Sequence, residues 1–177
     1  MLKKIGLVLA ALVIVILVLA SFQPKTFRVE RAAVMNAKPA VVFAQFNDLH
    51  NWMAWSPWEK RDPAMKRTYD GPKSGKGAGY GWDGNGRVGA GRMTIVESTA
   101  PSRIVVDIDF SRPMVAHDKG IYTFTKVAGG TEVRWAMEGQ VPFVGRIFHL
   151  FTNMDKMIGG DFETGLANLK TIVEKKK

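Results

Sequence analysis

The chain has 177 residues, 46% hydrophobic and 23% charged, with a net charge of +9, a mean hydropathy of −0.04 and no cysteine. The missing cysteine excludes a disulfide scaffold, cysteine-ligated zinc, iron–sulfur clusters and thiol catalysis. The three histidines, His50, His117 and His149, fit no metal-ligand spacing, so neither a metal nor another cofactor is expected.

The near-zero hydropathy averages two populations. Residues 5–22 hold 16 apolar residues in 18 and no charge, behind Lys3 and Lys4, the pattern of a membrane-spanning helix or a signal sequence. The unbroken Leu/Val/Ile run favours a retained anchor over residues 1–22, although Val18 and Ala20 leave a small-residue cleavage site before Ser21. Lys25, Arg28 and Arg31 nearly cancel the leading positive charge, so charge bias is almost silent on orientation. Long domains translocate largely regardless of flanking charge, and a short leader suits a signal anchor. The expectation is a single-pass protein whose residues 23–177 form one domain outside the cytoplasm. That remainder carries 17 of the 18 aromatic residues.

Within it, residues 27–35 read as a strand. Asn36 is placed to cap a helix from about Pro39 to Asn47, with Pro39 in the first turn where its missing N–H costs little. Residues 51–58 (NWMAWSPW) put three of the five tryptophans on a short helix or loop. From about 64 to 139 the period falls to two, the sign of half-buried antiparallel strands. Ile104, Val106, Ile108 and Phe110 alternate with Arg103, Asp107, Asp109 and Ser111. The turn Ala128-Gly129-Gly130 joins Tyr122 and Phe124 to Val133, Trp135 and Met137 as a hairpin.

Residues 141–154 place Val144, Ile147, Phe148, Phe151 and Met154 on one helical stripe, either packed on a sheet or forming a lid over an apolar cavity that touches the bilayer. The last segment returns to helical spacing, with Met154, Ile158, Phe162, Leu166, Leu169 and Val173 on one face and Lys175, Lys176 and Lys177 at a C-terminus that favours positive charge. Gly159, Gly160 and Gly165 weaken such a helix, so close approach of another backbone is expected in compensation.

Nine of the 18 glycines lie between Gly71 and Gly91 and spell GxGxxG twice. A dinucleotide site needs a helix to open immediately afterwards, whereas Arg92 to Glu97 is strand-like, so twisted strands and turns are the reading. Residues 60–92 hold eight Lys or Arg against three acids, without any nucleic-acid-reading motif; a solvated or lipid-facing surface is favoured and nucleic acid is not an expected partner. Asp107 and Asp109 fall on the wet face of their strand.

This order of elements, with Trp52-x-x-Trp55-Ser56-Pro57-Trp58, Gly130-Thr131-x-Val133-x-Trp135 and Asp155-Lys156-x-Ile158-Gly159-x-Asp161-Phe162-Glu163-x-Gly165-Leu166, resembles the SRPBCC (START/polyketide-cyclase-like) superfamily over about residues 27–174. It looks most like bacterial members with an N-terminal membrane segment, which implies a place in the bacterial cytoplasmic membrane. The resemblance implies an α+β helix-grip fold: a curved antiparallel sheet of about six or seven strands wrapped around a long C-terminal helix, with an apolar cavity between them. It also implies a hydrophobic small molecule or lipid as ligand, and no shared catalytic motif from which residues could be carried over. The residues themselves supply the candidate cavity wall: Phe110, Tyr122, Phe124, Trp135 and Met137 from strands, Met157 and Phe162 from the helix, and Trp55, Trp58 and Trp82 from loops. The leading expectation is a membrane-tethered binding module. The alternative is a cyclase- or hydrolase-like enzyme using His117, Tyr122 or Glu138.

Overall fold

The computed structural model describes residues 1–175, without the side chain of Leu2. Lys176 and Lys177 of the expected basic helix end therefore lie outside the described residues. The apolar N-terminal run forms α1 (Leu2–Ser21). Twenty residues rising about 1.5 Å each reach about 30 Å, the depth of a bilayer's hydrocarbon core. The helix is exposed along nearly its whole length until its last turn, where Ala20 is fully buried.

The chain continues as β1 (Thr26–Met35), α2 (Pro39–Asn47), a 3₁₀ turn (Leu49–Asn51), α3 (Trp52–Trp55) and α4 (Pro57–Arg61). Six strands follow in series: β2 (Lys66–Asp70), β3 (Gly79–Asp83), β4 (Ala90–Thr99), β5 (Arg103–Arg112), β6 (Ala116–Val127) and β7 (Gly130–Gln140). The short α5 (Phe143–His149) and the long α6 (Met154–Glu174) complete it. The strands make one antiparallel seven-stranded sheet in the order β1-β7-β6-β5-β4-β3-β2. This is the α+β arrangement expected, with the C-terminal helix against one face of the sheet.

Period-two patterning decides which face that is. Ile104, Val106 and Ile108 of β5, Tyr122 and Phe124 of β6, and Val133, Trp135 and Met137 of β7 are all buried on the inner face. Phe162 of α6 stacks on Trp135 with ring centroids 4.2 Å apart, and Arg31 of β1 reaches across to Glu163 (2.6 Å) and Asp155 (2.9 Å) on the same helix. The ring of Phe46 from α2 lies 4.8 Å from Trp55, 4.9 Å from Tyr122 and 5.2 Å from Phe124. These contacts knit the helices to the sheet in a single aromatic core.

Register fixes what lies at each end of the sheet. The pairs Thr26↔Gln140, Phe110↔Ala116, Ala90↔Arg112 and Lys66↔Asp83 put the turns 84–89 and 113–115 and the segments 22–25 and 141–153 at one end. The turns 71–78, 100–102 and 128–129 lie at the other.

Four expectations change. Pro39 takes the first helical position of α2, so the cap falls on Lys38, while the Asn36 backbone N–H is donated to Glu174 Oε1 (2.8 Å). The apolar stripe over 141–154 is not one helix: α5 stops at His149, and Asn153 caps α6 by accepting the Lys156 N–H (2.9 Å), so Met154 belongs to the second helix. Trp82 stands on β3 rather than in a loop. The helix glycines are approached by side chains instead of a backbone: the Arg31 guanidinium covers Gly159, and a Cβ on Gly165 would meet the Trp135 ring at 2.8 Å. Gly160 faces open space.

Candidate functional site

The glycine-rich segment folds as strand, turn and strand with no helix behind it, so it forms no phosphate cradle. Gly71, Gly75, Gly77 and Gly89 instead take positive φ in the turns. Asp107 and Asp109 lie on the outer face, paired with Lys119 (3.0 Å) and His117 (2.6 Å).

The inner face does not pack completely against the helices. A cavity of about 330 Å³ remains between the sheet, α4 and the N-terminal half of α6. Trp82 on β3 and Phe110 on β5 line it beside Tyr122 on β6, with Trp135 and Met137 from β7. Trp58 of α4 and Met157 and Phe162 of α6 close the other side. These eight of the ten expected wall residues thus converge on one space. Trp55 and Phe124 do not: both are buried in the core beneath it, where Phe46 packs on each. They share the inward orientation of their neighbours but sit behind the first layer, a distinction that periodicity alone does not carry.

Trp52, Met65, Tyr80, Val88, Met93 and Ile108, none of them among the expected wall residues, line the cavity as well. Ile108 belonged to the alternating set of β5, and Tyr80 stands two residues from Trp82 on the same strand; the surrounding glycines masked that alternation. No residue of 141–153 lines the cavity. The expected lid is therefore corrected: α5 packs on α1, with Arg146 Nη1 donating to the Ser21 carbonyl (3.4 Å).

Polar groups in the wall are few. Glu59 is buried and accepts from the Tyr80 hydroxyl (2.7 Å) at one oxygen and from Arg67 Nε (2.7 Å) at the other. Burial first, and then the Glu59 carboxylate, pushes the Tyr80 hydroxyl well above the ordinary phenol range, which keeps it a neutral donor. The hydrogen bond that Arg67 donates to Glu59 raises the Arg67 pKa against its own desolvation. Arg61 of α4 pairs with Asp161 of α6 across the cavity edge. The Tyr122 phenol is also pushed up by burial.

Of the three polar residues considered for catalysis, only Tyr122 reaches this space. His117 is exposed beside Asp109, and Glu138 pairs with Arg28 (2.6 Å), both on the outer face. Among the described residues no three His, Asp or Glu converge as a metal site would require.

One further acid lies on the inner face. Asp118 of β6 stands opposite Ile108 and Gly139, is 8% exposed, and leaves Oδ1 without a partner. Desolvation pushes its carboxyl up to about 6, opposed by the charge of His117.

Comparison with known proteins agrees with this geometry. The fold matches a protein of unknown function from Staphylococcus aureus with a TM-score of 0.63 at 13% identity, covering 85% of this chain and 94% of that one. It matches a protein from Rhodobacter sphaeroides with a TM-score of 0.62 at 16% identity, covering 85% and 93%, and the Aha1 dimer from Colwellia psychrerythraea with a TM-score of 0.60 at 12% identity, covering 84% and 96%. At such identities the likeness is one of fold. No curated protein sequence matches significantly. The profile described as polyketide cyclase / dehydrase and lipid transport matches residues 26–174, from the start of the first strand to the end of the last helix, and the chain belongs to that family.

Proposed function

We propose that the protein is a membrane-tethered module in which residues 1–22 are the anchor and residues 23–177 hold a hydrophobic small molecule or lipid. The observation that carries this reading is the cavity of about 330 Å³, walled by aromatic and methionine side chains and placed between the sheet and α6. Its size falls at the lower end of small-molecule sites, ~300–1,000 Å³, which suits a compact hydrophobic molecule or a single acyl chain. The family includes lipid transport in its description, and α1 has the length and composition of a bilayer span. We place the module in the bacterial cytoplasmic membrane with its domain on the extracytoplasmic side, since long domains translocate largely regardless of flanking charge.

Delipidated full-length protein in nanodiscs is expected to bind a fluorescent single-chain fatty acid saturably, at one site per chain above the empty-disc background. Absence of saturable binding for fatty acids, phospholipids, sterols and aromatic polyketides alike would remove the proposal. An enzyme acting in the same cavity would need a free acid or base at the wall. Glu59 is the buried carboxylate there, and both its oxygens are already engaged by Tyr80 and Arg67.

A further inference from the structure

The exposed apolar surface is not spread evenly over the domain. Beyond α1, eleven large apolar side chains are exposed among the described residues, and eight of them stand at the end of the sheet where α1 joins it. Phe22 follows α1; Val144 and Phe148 stand on α5 with Phe151 just after it; Val115 caps the β5–β6 turn; Met157 begins α6. Scattered single apolar residues are ordinary on a soluble surface, but a concentration on one end is not.

The same end carries the unpaired arginines. Eight of the ten arginines pair with carboxylates, and the two with no carboxylate partner among the described residues are Arg87 and Arg146. Arg87 lies in the turn 84–89. Arg146 sits on α5 over the Phe143 ring (4.9 Å) beside the last turn of α1, with Nε unpartnered. Of the nearby acids, Asp83 and Asp161 are taken by Arg112 and Arg61, and Asp62 accepts the Asn85 N–H (2.7 Å) of the Arg87 turn without an ion pair to either arginine. An apolar face edged by uncompensated guanidinium groups is complementary to an anionic bilayer, where arginine binds headgroup phosphates and apolar side chains enter the acyl boundary.

The cavity opens at this end as well. Arg87 and Val88 of the β3–β4 turn and Met157 of α6 line it, and both Arg87 and Met157 are exposed, which identifies them as its rim. Resting on the reading of the cavity as a hydrophobic-ligand site, we infer that this end of the domain is a membrane-docking face. α5 and the β5–β6 turn seat it on an anionic phospholipid bilayer beside the α1 anchor, with the cavity mouth turned toward the lipid. Ligand then passes between acyl phase and cavity without crossing water. Continuity with α1 fixes the occupant: a helix of bilayer length packs directly on α5, so a protein partner here would have to displace the membrane in which that helix ends.

The chain has no cysteine, so single labels are unambiguous. Val115→Cys, Phe148→Cys and, at the opposite end, Ala128→Cys are labelled with an environment-sensitive dye in otherwise full-length protein and reconstituted into vesicles of phosphatidylcholine carrying brominated acyl chains, with or without added phosphatidylglycerol. Val115 is the decisive position because its turn is joined to α1 only through the fold. Quenching of the Val115 and Phe148 labels several-fold above that at Ala128, weakened in pure phosphatidylcholine and by Arg87→Gln with Arg146→Gln, supports docking. A Val115 label quenched no more than that at Ala128 overturns it. So does a Val115 label shielded from water but insensitive to brominated lipid, which marks a second copy or another protein. Fatty-acid binding measured in the same vesicles separates the two proposals: saturable binding with an aqueous Val115 label removes the docking face and keeps the cavity, and quenching without binding does the reverse.

Discussion

Replacing Asp118 with asparagine should remove a loss of stability that the domain otherwise suffers as pH rises from about 4 to about 6. Its carboxyl, ordinarily at 3.8, is pushed up to about 6 by burial on the inner face. In the folded chain it therefore keeps its proton to about pH 6, while in the unfolded chain it ionises near pH 4. Between those values the folded state binds more protons, so stability falls as pH rises. Below about pH 4 both states are protonated and the group contributes nothing. Above about pH 6 the whole difference applies, and at about 1.4 kcal/mol per unit a shift of roughly two units costs up to about 3 kcal/mol. At 8% exposure solvent screens little of this.

Asp118→Asn removes the ionisation while keeping the shape. The variant is expected to match the parent within about 1 kcal/mol at pH 4, and to exceed it by up to about 3 kcal/mol at pH 8. For a domain of this size that is roughly 6–12 °C in Tm. Thermal unfolding of full-length protein in detergent micelles, followed by near-ultraviolet circular dichroism from pH 4 to 8, provides the measurement. If the gap between variant and parent stayed constant across that range, Asp118 would ionise normally and the account of its desolvation would be wrong.

Three further outcomes bear on the site and its support. Met137→Trp puts a bulky ring into the cavity, and loss of fatty-acid binding with folding retained by circular dichroism is expected; unaltered affinity would place the ligand elsewhere. Arg67→Met leaves the Glu59 carboxylate buried without its ion-pair partner, a loss of about 3–5 kcal/mol by urea titration, whereas a loss below about 1 kcal/mol would mean that Glu59 is hydrated. Gly165→Val drives a side chain into Trp135, which a Cβ alone would already meet at 2.8 Å; destabilisation of about 1–3 kcal/mol is expected, and a neutral result would show that the Trp135–Phe162 stack shifts freely.

Much of the architecture was legible because its determinants are local. An apolar run of this length is a helix long enough to cross a bilayer whatever surrounds it, and a period of two or 3.6 commits a segment to a strand or an amphipathic helix before any partner is known. The strands from Arg103 to Gln140 and the stripe Phe162, Leu166, Leu169 and Val173 were readable in this way. So was the inward orientation of Trp135, Met137 and Phe110. Helix ends were less legible, because one proline moved the cap of α2 to Lys38 and Asn153 split a stripe that looked continuous.

Depth and lateral neighbourhood belong to the tertiary structure. Aromatic character alone gives Trp55, Phe124 and Tyr122 the same status as core residues. Only the assembled core decides that Tyr122 borders the cavity while the other two do not, since Phe46 packs on all three. The Glu59–Arg67–Tyr80 cluster joins three separate elements, and the grouping of Arg87, Val115, Phe148 and Met157 at one end follows from strand register, a relation between residues up to 70 positions apart. Sequence alone determined which residues turn inward and where an apolar helix of bilayer length lies. Long-range pairing decided which inward residues enclose a cavity and which way that cavity opens, because register and packing density are properties of the assembled sheet and not of any one strand.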